Sequence, residues 1–358
     1  MSEKIRVGIL CGGRSAEHEI SCVSAGGMLS AINRDIYEPI LIGITRTSGR
    51  WVLIPANYPL EILDGTLPSV PEDAPQVNTD IHGFSVNGQP LRLDVIFPIL
   101  HGPYGEDGTI QGFCEMANVP YVGSGVLASA VAMDKSFAKS VFAANGMKVA
   151  EGILITTEQW NSNRARCEVL LSNLSFPVFV KPARGGSSRG ASKVKVVADL
   201  LAAIEAAQRF DRKVLIEEAV VGREIECGVL EVDGAIKVSE PGEVIISAAF
   251  EFYDFEAKYL DDATTSQIPA EIPDEASQEI RRLAGLAFTS LGCAGLARVD
   301  FFYKPNGQVV IIELNTMPGF TPTSMFPSLW AQSGIEYPQL IHELIKTALT
   351  RTNSALGN

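Results

Sequence analysis

The segment GLARVDFFYKPNGQVVIIELN, residues 295–315, is the most informative part of the sequence for the fold. Two strand-like runs, 295–303 and 308–315, flank a short segment that contains Asn306 and Gly307. An Asn-Gly pair between such runs is a strong signal for a β-hairpin, and we take these two residues as the turn. The sequence therefore predicts two antiparallel strands in the carboxyl-terminal part of the chain.

The predicted register brings polar side chains together on one face of this hairpin. With a two-residue turn, Asp300 lies directly opposite Glu313, and Arg298 lies directly opposite Asn315. Two opposed carboxylates repel each other unless one is protonated or a cation lies between them. Two carboxylates and an amide oxygen form an all-oxygen ligand set, which suits Mg²⁺ better than zinc. The alternative is a solvated face with Arg298 as counterion, and the spacing alone leaves both interpretations open.

A second candidate site is the loop KPARGGSSRG, residues 181–190, between two predicted strands. Such a loop can direct backbone N–H groups, hydroxyls and cations at phosphate oxygens. It is not a P-loop, because Ala191 stands where that motif requires lysine and a strand follows instead of a helix. On composition alone, a mobile turn is an equal alternative.

Two more polar loops follow predicted strands in the first third of the chain. They are GGRSAEHE at 12–19 and HGPYGEDG at 101–108. Loops beyond the carboxyl ends of α/β strands are common ligand sites. A lone histidine or glutamate in a turn is more often a surface residue than a catalytic one, so a site here requires that the two loops converge. The first strand lacks the G-x-G-x-x-G pattern, which disfavours a dinucleotide site.

Composition and charge indicate a globular protein without a general affinity for polyanions. The chain has 358 residues, of which 46% are hydrophobic, and its length suggests about two to three domains. A net charge of −13 disfavours binding to nucleic acid or to an anionic membrane. No apolar run is long enough for a membrane helix and no signal peptide is recognised, so we expect a cytoplasmic protein. Six scattered cysteines without a C-x-x-C pair indicate neither zinc nor disulfides.

The order of the predicted elements indicates an α/β fold. Continuous apolar strands near the amino terminus are typical of a buried parallel sheet, and alternating runs from residue 224 onward indicate antiparallel sheet. Residues 124–145 are predicted to be helical. The polar, proline-rich stretch 55–90 is interpreted as an excursion from the sheet.

Eight strings occur in order along almost the whole chain: GGRSAEHEIS, HGPYGEDGTIQG, MDK, KPARGGSSRG, IEEAVVGREIE, YDFEAKY, ARVDFF and IIELNTMPGFTPTSMFP. Taken together they resemble the D-alanine–D-alanine ligase family of the ATP-grasp superfamily. The resemblance implies an α/β, three-domain ATP-grasp architecture. A Rossmann-like, parallel-sheet domain at 1–135 would bind substrate, and two α+β subdomains at 136–222 and 223–358 would clasp ATP.

The resemblance also implies an ATP site and a metal site. Asp300, Glu313 and Asn315 fall on the family's ligands for two Mg²⁺ ions, with Mn²⁺ as a substitute, which agrees with the hairpin register. The residues expected around ATP are Lys135 and Lys181 at the phosphates, Glu217, Glu218 and Ala219 at the adenine, Glu224 at the ribose, and Ser187 and Ser188 in the loop that closes over the phosphates.

The same resemblance assigns residues to two D-alanine substrates. Glu17 would receive the ammonium of the first D-alanine, directly or through a hydrogen-bond chain with Ser187 and Tyr259, and His101 would lie nearby. The residues expected at the second substrate's carboxylate and at the developing oxyanion are Ser324, Arg298 and the backbone N–H of Gly319, and Lys258 is expected at the γ-phosphate when its loop closes.

The implied reaction has two steps and supplies precursors for peptidoglycan, the cell-wall polymer. ATP phosphorylates the carboxylate of one D-alanine, and the amine of the second attacks the acyl phosphate to give the dipeptide, ADP and phosphate. A homodimer is the assembly that the resemblance suggests. Lys258 next to Tyr259 resembles the dipeptide-forming enzymes more than relatives that use D-lactate.

Three other interpretations have to be compared with this one. The first is a related enzyme that joins D-alanine to D-lactate or D-serine, or another ATP-grasp carboxylate–amine ligase, and pocket residues beyond the motifs would decide between them. A non-catalytic nucleotide-binding regulator is disfavoured because the charged motif positions, among them Arg298 and Lys258, are all present. A nicotinamide-dependent dehydrogenase is disfavoured by the incomplete glycine fingerprint.

Overall fold

The structure, a computed structural model, describes residues 3–55, 57–187, 189–246 and 264–351. Within these ranges, no helix is both long and apolar enough to cross a lipid bilayer. The elements of the first part are, in chain order, β1 (Ile5–Gly12), α1 (His18–Ala31), β2 (Tyr37–Ile44), β3 (Trp51–Leu53), β4 (Val77–Asp80), β5 (Gly83–Val86), β6 (Gln89–Leu91), β7 (Val95–Pro98), α2 (Thr109–Met116), α3 (Val126–Met133) and α4 (Lys135–Ala144).

The first sheet has the strand order β3-β2-β1-β7. β1 is parallel to both β2 and β7, which confirms the predicted parallel sheet, and β3 is antiparallel to β2. Because β1 and β7 are parallel neighbours, their carboxyl ends lie at one edge of the sheet. The two polar loops that follow these strands, 12–19 and 101–108, therefore begin side by side.

The stretch 55–90, interpreted from sequence as an excursion, is largely packed against the first sheet. It contains the small antiparallel sheet β4-β5-β6. Leu60 and Val70 join the core on one side of the first sheet, and Val77 and Phe84 join the core on the other side. The segment runs over the surface, where Ile62, Leu63 and Ile81 are exposed, and only part of its apolar side chains enter the two cores.

A short break separates α3 from α4 within the segment that was predicted to be helical throughout. Asp134 has an extended backbone, and its side chain accepts hydrogen bonds from the backbone N–H groups of Ser136 and Phe137. An aspartate in this position is a typical N-cap, which starts a new helix at Lys135. The prediction of one continuous helix was wrong because periodicity does not reveal a cap inside a helical pattern.

The elements of the middle part are β8 (Gly152–Thr156), α5 (Thr157–Ser162), α6 (Arg164–Leu171), β9 (Val178–Pro182), β10 (Ser192–Val194), α7 (Leu200–Gln208) and β11 (Lys213–Glu218). The four strands form an antiparallel sheet with the order β10-β9-β11-β8. A short 3₁₀ helix, Val197–Asp199, precedes α7.

The elements of the last part are β12 (Arg223–Val232), β13 (Ala235–Val238), β14 (Gly242–Ile246), β15 (Thr264–Gln267), α8 (Asp274–Ser290), β16 (Leu296–Tyr303), β17 (Val309–Asn315), α9 (Met325–Gln332) and α10 (Tyr337–Thr350). The strands form a six-stranded antiparallel sheet with the order β15-β14-β12-β16-β17, in which β13 also pairs with β12. The helices α9 and α10 follow the β16–β17 hairpin.

The turn of the β16–β17 hairpin differs from the predicted one. Lys304 and Gln308 are joined by a backbone hydrogen bond of 2.9 Å, so the loop consists of the three residues 305–307. Pro305 suits the first central position of a type I turn, and Gly307 takes the left-handed conformation with φ +82°. The prediction of a two-residue Asn-Gly turn was therefore wrong.

A β-bulge at Ile312 compensates for the extra loop residue. Phe301 pairs with Ile311, but Asp300, the residue before Phe301, pairs with Glu313. Ile312 is thus the additional residue on β17. The bulge places Glu313 directly opposite Asp300, so the predicted pairing at the candidate site is confirmed although the predicted turn is not.

The final helix, α10, packs into the core of the first sheet. Leu340, Ile341, Leu344 and Ile345 are buried in one cluster with side chains of β1 and β7. α10 also contacts β12 of the six-stranded sheet. The carboxyl-terminal helix therefore links the first and the last sheets.

Candidate active site

A cavity of about 390 Å³ is lined by residues of the β9–β11 sheet and of the β16–β17 hairpin. Phe179, Phe302 and Val310 contribute apolar walls from both sheets. Eight of the predicted site residues line the cavity: Lys135, Lys181, Ser187, Glu217, Glu218, Ala219, Glu224 and Glu313. The cavity has the flat apolar walls and the charged groups that suit a nucleotide.

Lys135 is the first residue of α4, and the Asp134 cap fixes its position. Its ammonium lies 3.0 Å from Glu313 Oε2 and donates a hydrogen bond of 2.8 Å to the carbonyl oxygen of Gly185. Burial acts to lower the pKa of Lys135, but the carboxylate of Glu313 outweighs it and raises the pKa. Lys135 is therefore a charged ammonium that connects the hairpin to the loop 181–190.

Glu217 lies between two ammonium groups. β9 and β11 are antiparallel with Lys181 opposite Leu215, so Lys181 and Glu217 share the face that borders the cavity. Glu217 Oε2 is 2.6 Å from Lys181 Nζ, and Glu217 Oε1 forms an ion pair with Lys139 Nζ. Burial acts to raise the pKa of Glu217, but the two ammonium groups outweigh it and lower the pKa to about 2.

Asp300 is held by the guanidinium of Arg298 through two hydrogen bonds of 2.8 Å. Asn315 Nδ2 donates a further hydrogen bond of 3.0 Å to Asp300 Oδ2. Arg298 Nε also lies 3.0 Å from Glu226 Oε2, and Glu226 pairs with Asp300 across β12 and β16. Burial acts to lower the pKa of Arg298, but Asp300 and Glu226 outweigh it and raise the pKa well above its ordinary value.

The donor set around Asp300 and Glu313 fits Mg²⁺. Within the described ranges, no three aspartate, glutamate, histidine or cysteine side chains form a metal-binding group. Two carboxylates with an amide oxygen, completed by water and phosphate oxygens, are the hard oxygen ligands that Mg²⁺ prefers. Asp300 and Glu313 lie opposite each other, and Arg298 and Lys135 supply the positive charge beside them. A metal cation between the two carboxylates would likewise reduce their mutual repulsion.

Glu17, which precedes α1, extends from the first part of the chain to the loop 181–190. Ser187 donates a hydrogen bond of 2.5 Å to Glu17 Oε1. A Cβ atom on Gly102 would lie 2.9 Å from Glu17 Oε2, and one on Gly186 would lie 3.0 Å from it. The two glycines therefore allow the backbone to approach this carboxylate closely.

His101 lies beside Glu17 and is buried. His101 Nδ1 donates a hydrogen bond of 3.1 Å to the carbonyl oxygen of Met317. This bond leaves Nε2 of the neutral ring as an acceptor, and Nε2 has no hydrogen-bond partner in the part of the chain that the structure describes. Burial lowers the pKa of His101, partly opposed by the negative charge of Glu17. The ring is therefore neutral near pH 7 and can accept a hydrogen bond from a ligand.

Glu106 connects the loop after β7 with the loop after β17. Its carboxyl oxygens accept hydrogen bonds from the backbone N–H groups of Gly102, at 2.8 Å, and Met317, at 3.2 Å. Burial raises the pKa of Glu106 to about 8, with a further contribution from the negative charge of Glu17. The two polar loops and the loop 316–324 thus converge, as a shared site requires.

Gly319 and Ser324 lie together in that third loop. A Cβ atom on Gly319 would be 3.2 Å from Ser324 Oγ. Ser324 Oγ also accepts a hydrogen bond of 3.1 Å from the backbone N–H of Thr321.

Glu218, which was predicted to lie at the adenine, has a carboxylate that accepts a hydrogen bond of 2.7 Å from the backbone N–H of Ser175. Three predicted site residues, Ser188, Lys258 and Tyr259, lie outside the described residues.

Three charged residues of the site were missed by the sequence interpretation: Lys139, Glu226 and Glu106. Lys139 lies four residues after Lys135, and residues at that spacing share one face of a helix. Glu226 follows Glu224 by two residues on a predicted strand and therefore shares its face. Glu106 belongs to the loop 101–108. No local pattern indicates that it would accept a hydrogen bond from Met317, which is 211 positions away in the sequence.

Comparison with known proteins gives matches over nearly the whole chain. A family model described as the D-ala D-ala ligase C-terminus matches residues 141–346, and one described as the D-ala D-ala ligase N-terminus matches residues 6–124. The D-alanine–D-alanine ligase of Pseudarthrobacter chlorophenolicus is 51% identical, with 97% of this chain and 95% of the relative covered. That of Mycobacterium leprae is 46% identical, with 97% and 94% covered.

Two solved structures are also similar over nearly the whole chain. The VanG D-Ala:D-Ser ligase from Enterococcus faecalis superposes with a TM-score of 0.83 at 33% identity, covering 97% of this chain and 100% of that one. The D-alanine–D-alanine ligase from Coxiella burnetii superposes with a TM-score of 0.83 at 33% identity, covering 97% and 94%.

Proposed function

The chain belongs to the D-alanine–D-alanine ligase family, and from this membership we propose that it joins two D-alanine molecules with ATP to form D-alanyl-D-alanine for peptidoglycan synthesis. One observation carries the proposal. Gly185 accepts a hydrogen bond from Lys135 in the cavity, and Ser187, two residues later, donates one to Glu17. A single loop thus contacts a phosphate-binding candidate on one side and an ammonium-binding candidate on the other.

ATP binds in the cavity between the two sheets. The adenine lies between the apolar walls, near Glu217, the backbone at 218 and Ala219, and the ribose lies near Glu224. The remaining proposed contacts are Lys135, Lys181 and Ser188 at the phosphates. The apolar walls support this placement, because a flat aromatic base gains most from contact with both sheets.

Asp300, Glu313 and Asn315 would hold two Mg²⁺ ions, as in the family, or two Mn²⁺ ions in their place. Bound there, the metal would supply positive charge against the negative charge of the transferred phosphoryl group. Arg298 pairs with Asp300 and Lys135 pairs with Glu313, so these two cations balance the charge of the carboxylates.

In the first step, a carboxylate oxygen of one D-alanine attacks the γ-phosphorus of ATP, and ADP leaves with the electron pair of the broken P–O bond. Glu17 holds the ammonium of this D-alanine, supported by Ser187, Tyr259 and the buried ring of His101. Lys135, Lys181 and Lys258 stabilise the charge on the phosphoryl oxygens. The product of this step is an acyl phosphate.

In the second step, the amine of the other D-alanine attacks the carbonyl carbon of the acyl phosphate. Phosphate leaves with the C–O bonding electrons, and the amine loses a proton to give the peptide. Arg298 and the backbone N–H of Gly319 stabilise the oxyanion that forms, and Ser324 holds the carboxylate of the attacking D-alanine. Closure of the site excludes water, which would hydrolyse the acyl phosphate.

The three-domain division at 1–135, 136–222 and 223–358, the cytoplasmic location and the homodimer are part of the same proposal. The division is supported by the three larger sheets, because each of them is built from strands of one segment. Light scattering of the purified protein tests the dimer, and a mass equal to one chain at micromolar concentration would contradict it.

Phosphate release from ATP and Mg²⁺ tests the reaction, with D-alanine alone, L-alanine alone, and D-alanine with added D-lactate or D-serine. We expect turnover with D-alanine alone and a dipeptide identified by mass. A mixed product at neutral pH would place the chain among ligases such as the D-Ala:D-Ser enzyme to which it is similar. The absence of turnover with every substrate would support a regulator instead.

A further inference from the structure

Lys139 and Glu217 form a buried ion pair at the wall of the cavity. Lys139 is 8% exposed and Glu217 is 4% exposed. The second carboxylate oxygen of Glu217 is 2.6 Å from Lys181 Nζ. The carboxylate of Glu217 therefore pairs with two ammonium groups. The cluster of Lys139, Lys181 and Glu217 has one net positive charge.

The phosphates of a nucleotide compete with Glu217 for Lys181. Lys181 can neutralise phosphate fully only if it moves away from Glu217. A buried carboxylate that loses its counterion is strongly destabilised, because burial removes the water that would solvate its charge. The cost of releasing Lys181 therefore depends on whether Glu217 keeps another partner.

We propose that Lys139 is a positioning residue that remains paired with Glu217 and so allows Lys181 to turn to the phosphates of the nucleotide. This inference rests on the proposed ATP site and adds to it a residue that acts through another one. When Lys181 leaves, Lys139 and Glu217 remain as a buried neutral pair. Without Lys139, Lys181 remains paired with Glu217 and is not available to the phosphates.

Two observations support this assignment. Lys139 lies one helical turn after Lys135 on α4, so the Asp134 cap that positions Lys135 also positions Lys139. Burial lowers the pKa of Lys139, and Lys181 lowers it further, while Glu217 acts in the opposite direction. Glu217 therefore favours the charged form of Lys139, and Lys139 favours the charged form of Glu217.

The test compares the binding of ATP and of adenosine, measured by isothermal titration calorimetry with the full-length chain. The variants are Lys139→Met, Glu217→Gln and the double variant, and Lys148→Met, an exposed lysine that does not line the cavity, is the control. We expect Lys139→Met to weaken ATP binding by about 10-fold or more and adenosine binding by less than about 3-fold, because only ATP requires Lys181.

The double variant separates an indirect effect from a direct one. In the Glu217→Gln background, Lys181 has no charged competitor, so adding Lys139→Met is expected to change ATP affinity by less than about 2-fold. An equal loss in both backgrounds would show that Lys139 contacts the phosphates directly and would overturn the proposal. Equal losses for ATP and adenosine would show a structural role and would also overturn it.

Glu217→Gln alone gives an independent test if Lys139→Met does not fold. Removing the charge of Glu217 frees Lys181, so the ratio of ATP affinity to adenosine affinity is expected to rise by about 3-fold or more. A ratio that stays constant or falls would overturn the inference. Failure of the wild type to bind ATP at all would refute the nucleotide site itself, which is a different outcome from unchanged binding by the variants.

Discussion

Ser187 donates a hydrogen bond to Glu17 although the two residues are 170 positions apart in the sequence. Ser187 has a backbone φ of +49°, which is uncommon for a residue other than glycine. A Cβ atom on the neighbouring Gly186 would lie 3.0 Å from Glu17 Oε2. A side-chain hydrogen bond and a close backbone approach therefore join the loop 181–190 to the loop 12–19.

Glu17→Gln is expected to raise the KM for D-alanine by about 10- to 100-fold, since a hydrogen bond to a charged group contributes about 1.5 to 3 kcal/mol. Ser187→Ala should have a smaller effect, below about 10-fold, because it removes only a supporting hydroxyl. Steady-state kinetics at saturating ATP measures both. Ser162→Ala, which removes a hydroxyl on α5, is the matched control. An unchanged KM in Glu17→Gln would contradict the ammonium assignment.

Asp300→Asn and Glu313→Gln are each expected to reduce turnover by about 100-fold or more, because each removes a charge from the proposed Mg²⁺ site. Folding should be retained, since the amides keep the shape of the side chains. Turnover at increasing Mg²⁺ and thermal unfolding measure the two effects, with the exposed Asp233→Asn as control. A double-amide variant with normal activity would rule out the metal site.

Glu106 is expected to make stability depend on pH in the absence of metal. Burial raises its pKa to about 8 from an ordinary value of 4.5, so between these values the folded protein binds a proton that the unfolded chain has lost. The contribution of Glu106 to the free energy of unfolding is therefore fully present below pH 4.5 and is lost as the pH rises through about 8.

Glu106→Gln cannot ionise and should lose less stability than the wild type over this range. Melting temperatures at pH 5.5 and 8.5 in EDTA measure the difference, and we expect the wild type to fall by about 3 °C more than the variant. The exposed Glu61→Gln serves as the control. Parallel decreases in both proteins would mean that Glu106 is ionised in the folded state across the range.

Gly307→Ala is expected to destabilise the protein by about 1 kcal/mol, because alanine is strained at the positive φ of this loop position. Activity per folded molecule should not change, since Gly307 is exposed and a Cβ atom there would meet no atom within 4 Å in the described part of the chain, apart from its two chain neighbours. Urea unfolding measures the effect, with the neighbouring Gln308→Ala as control. A variant as stable as the wild type would contradict the observed loop conformation.

The β16–β17 hairpin shows why part of the site could be predicted from the sequence. The strands and the opposition of Asp300 and Glu313 were predicted from the turn signal and the alternation of side chains. The loop length was wrong by one residue, and the bulge at Ile312 restored the register. Because apolar residues occupy both faces of β17, the alternation does not reveal the bulge.

Contacts between distant segments could not be predicted in this way. Lys139 approaches Glu217 only because α4 lies beside the β9–β11 sheet, and Glu106 reaches Met317 only because the first and last sheets are adjacent. A local sequence pattern gives no information on the spatial distance between segments that are far apart in the chain. The resemblance to a family identified Glu17 and Ser187 together, but their hydrogen bond is a result of tertiary packing.

The position of α10 has a consequence for synthesis of the chain on the ribosome. The strands of the first sheet emerge early, but Leu340, Ile341 and Leu344, which complete their core, emerge last. The apolar face that β1 and β7 present to α10 therefore stays exposed to water, and available to chaperones, until residues 337–350 have been synthesised. A chain that terminates before residue 337 lacks that helix and leaves the ribosome with an incomplete core on the first sheet.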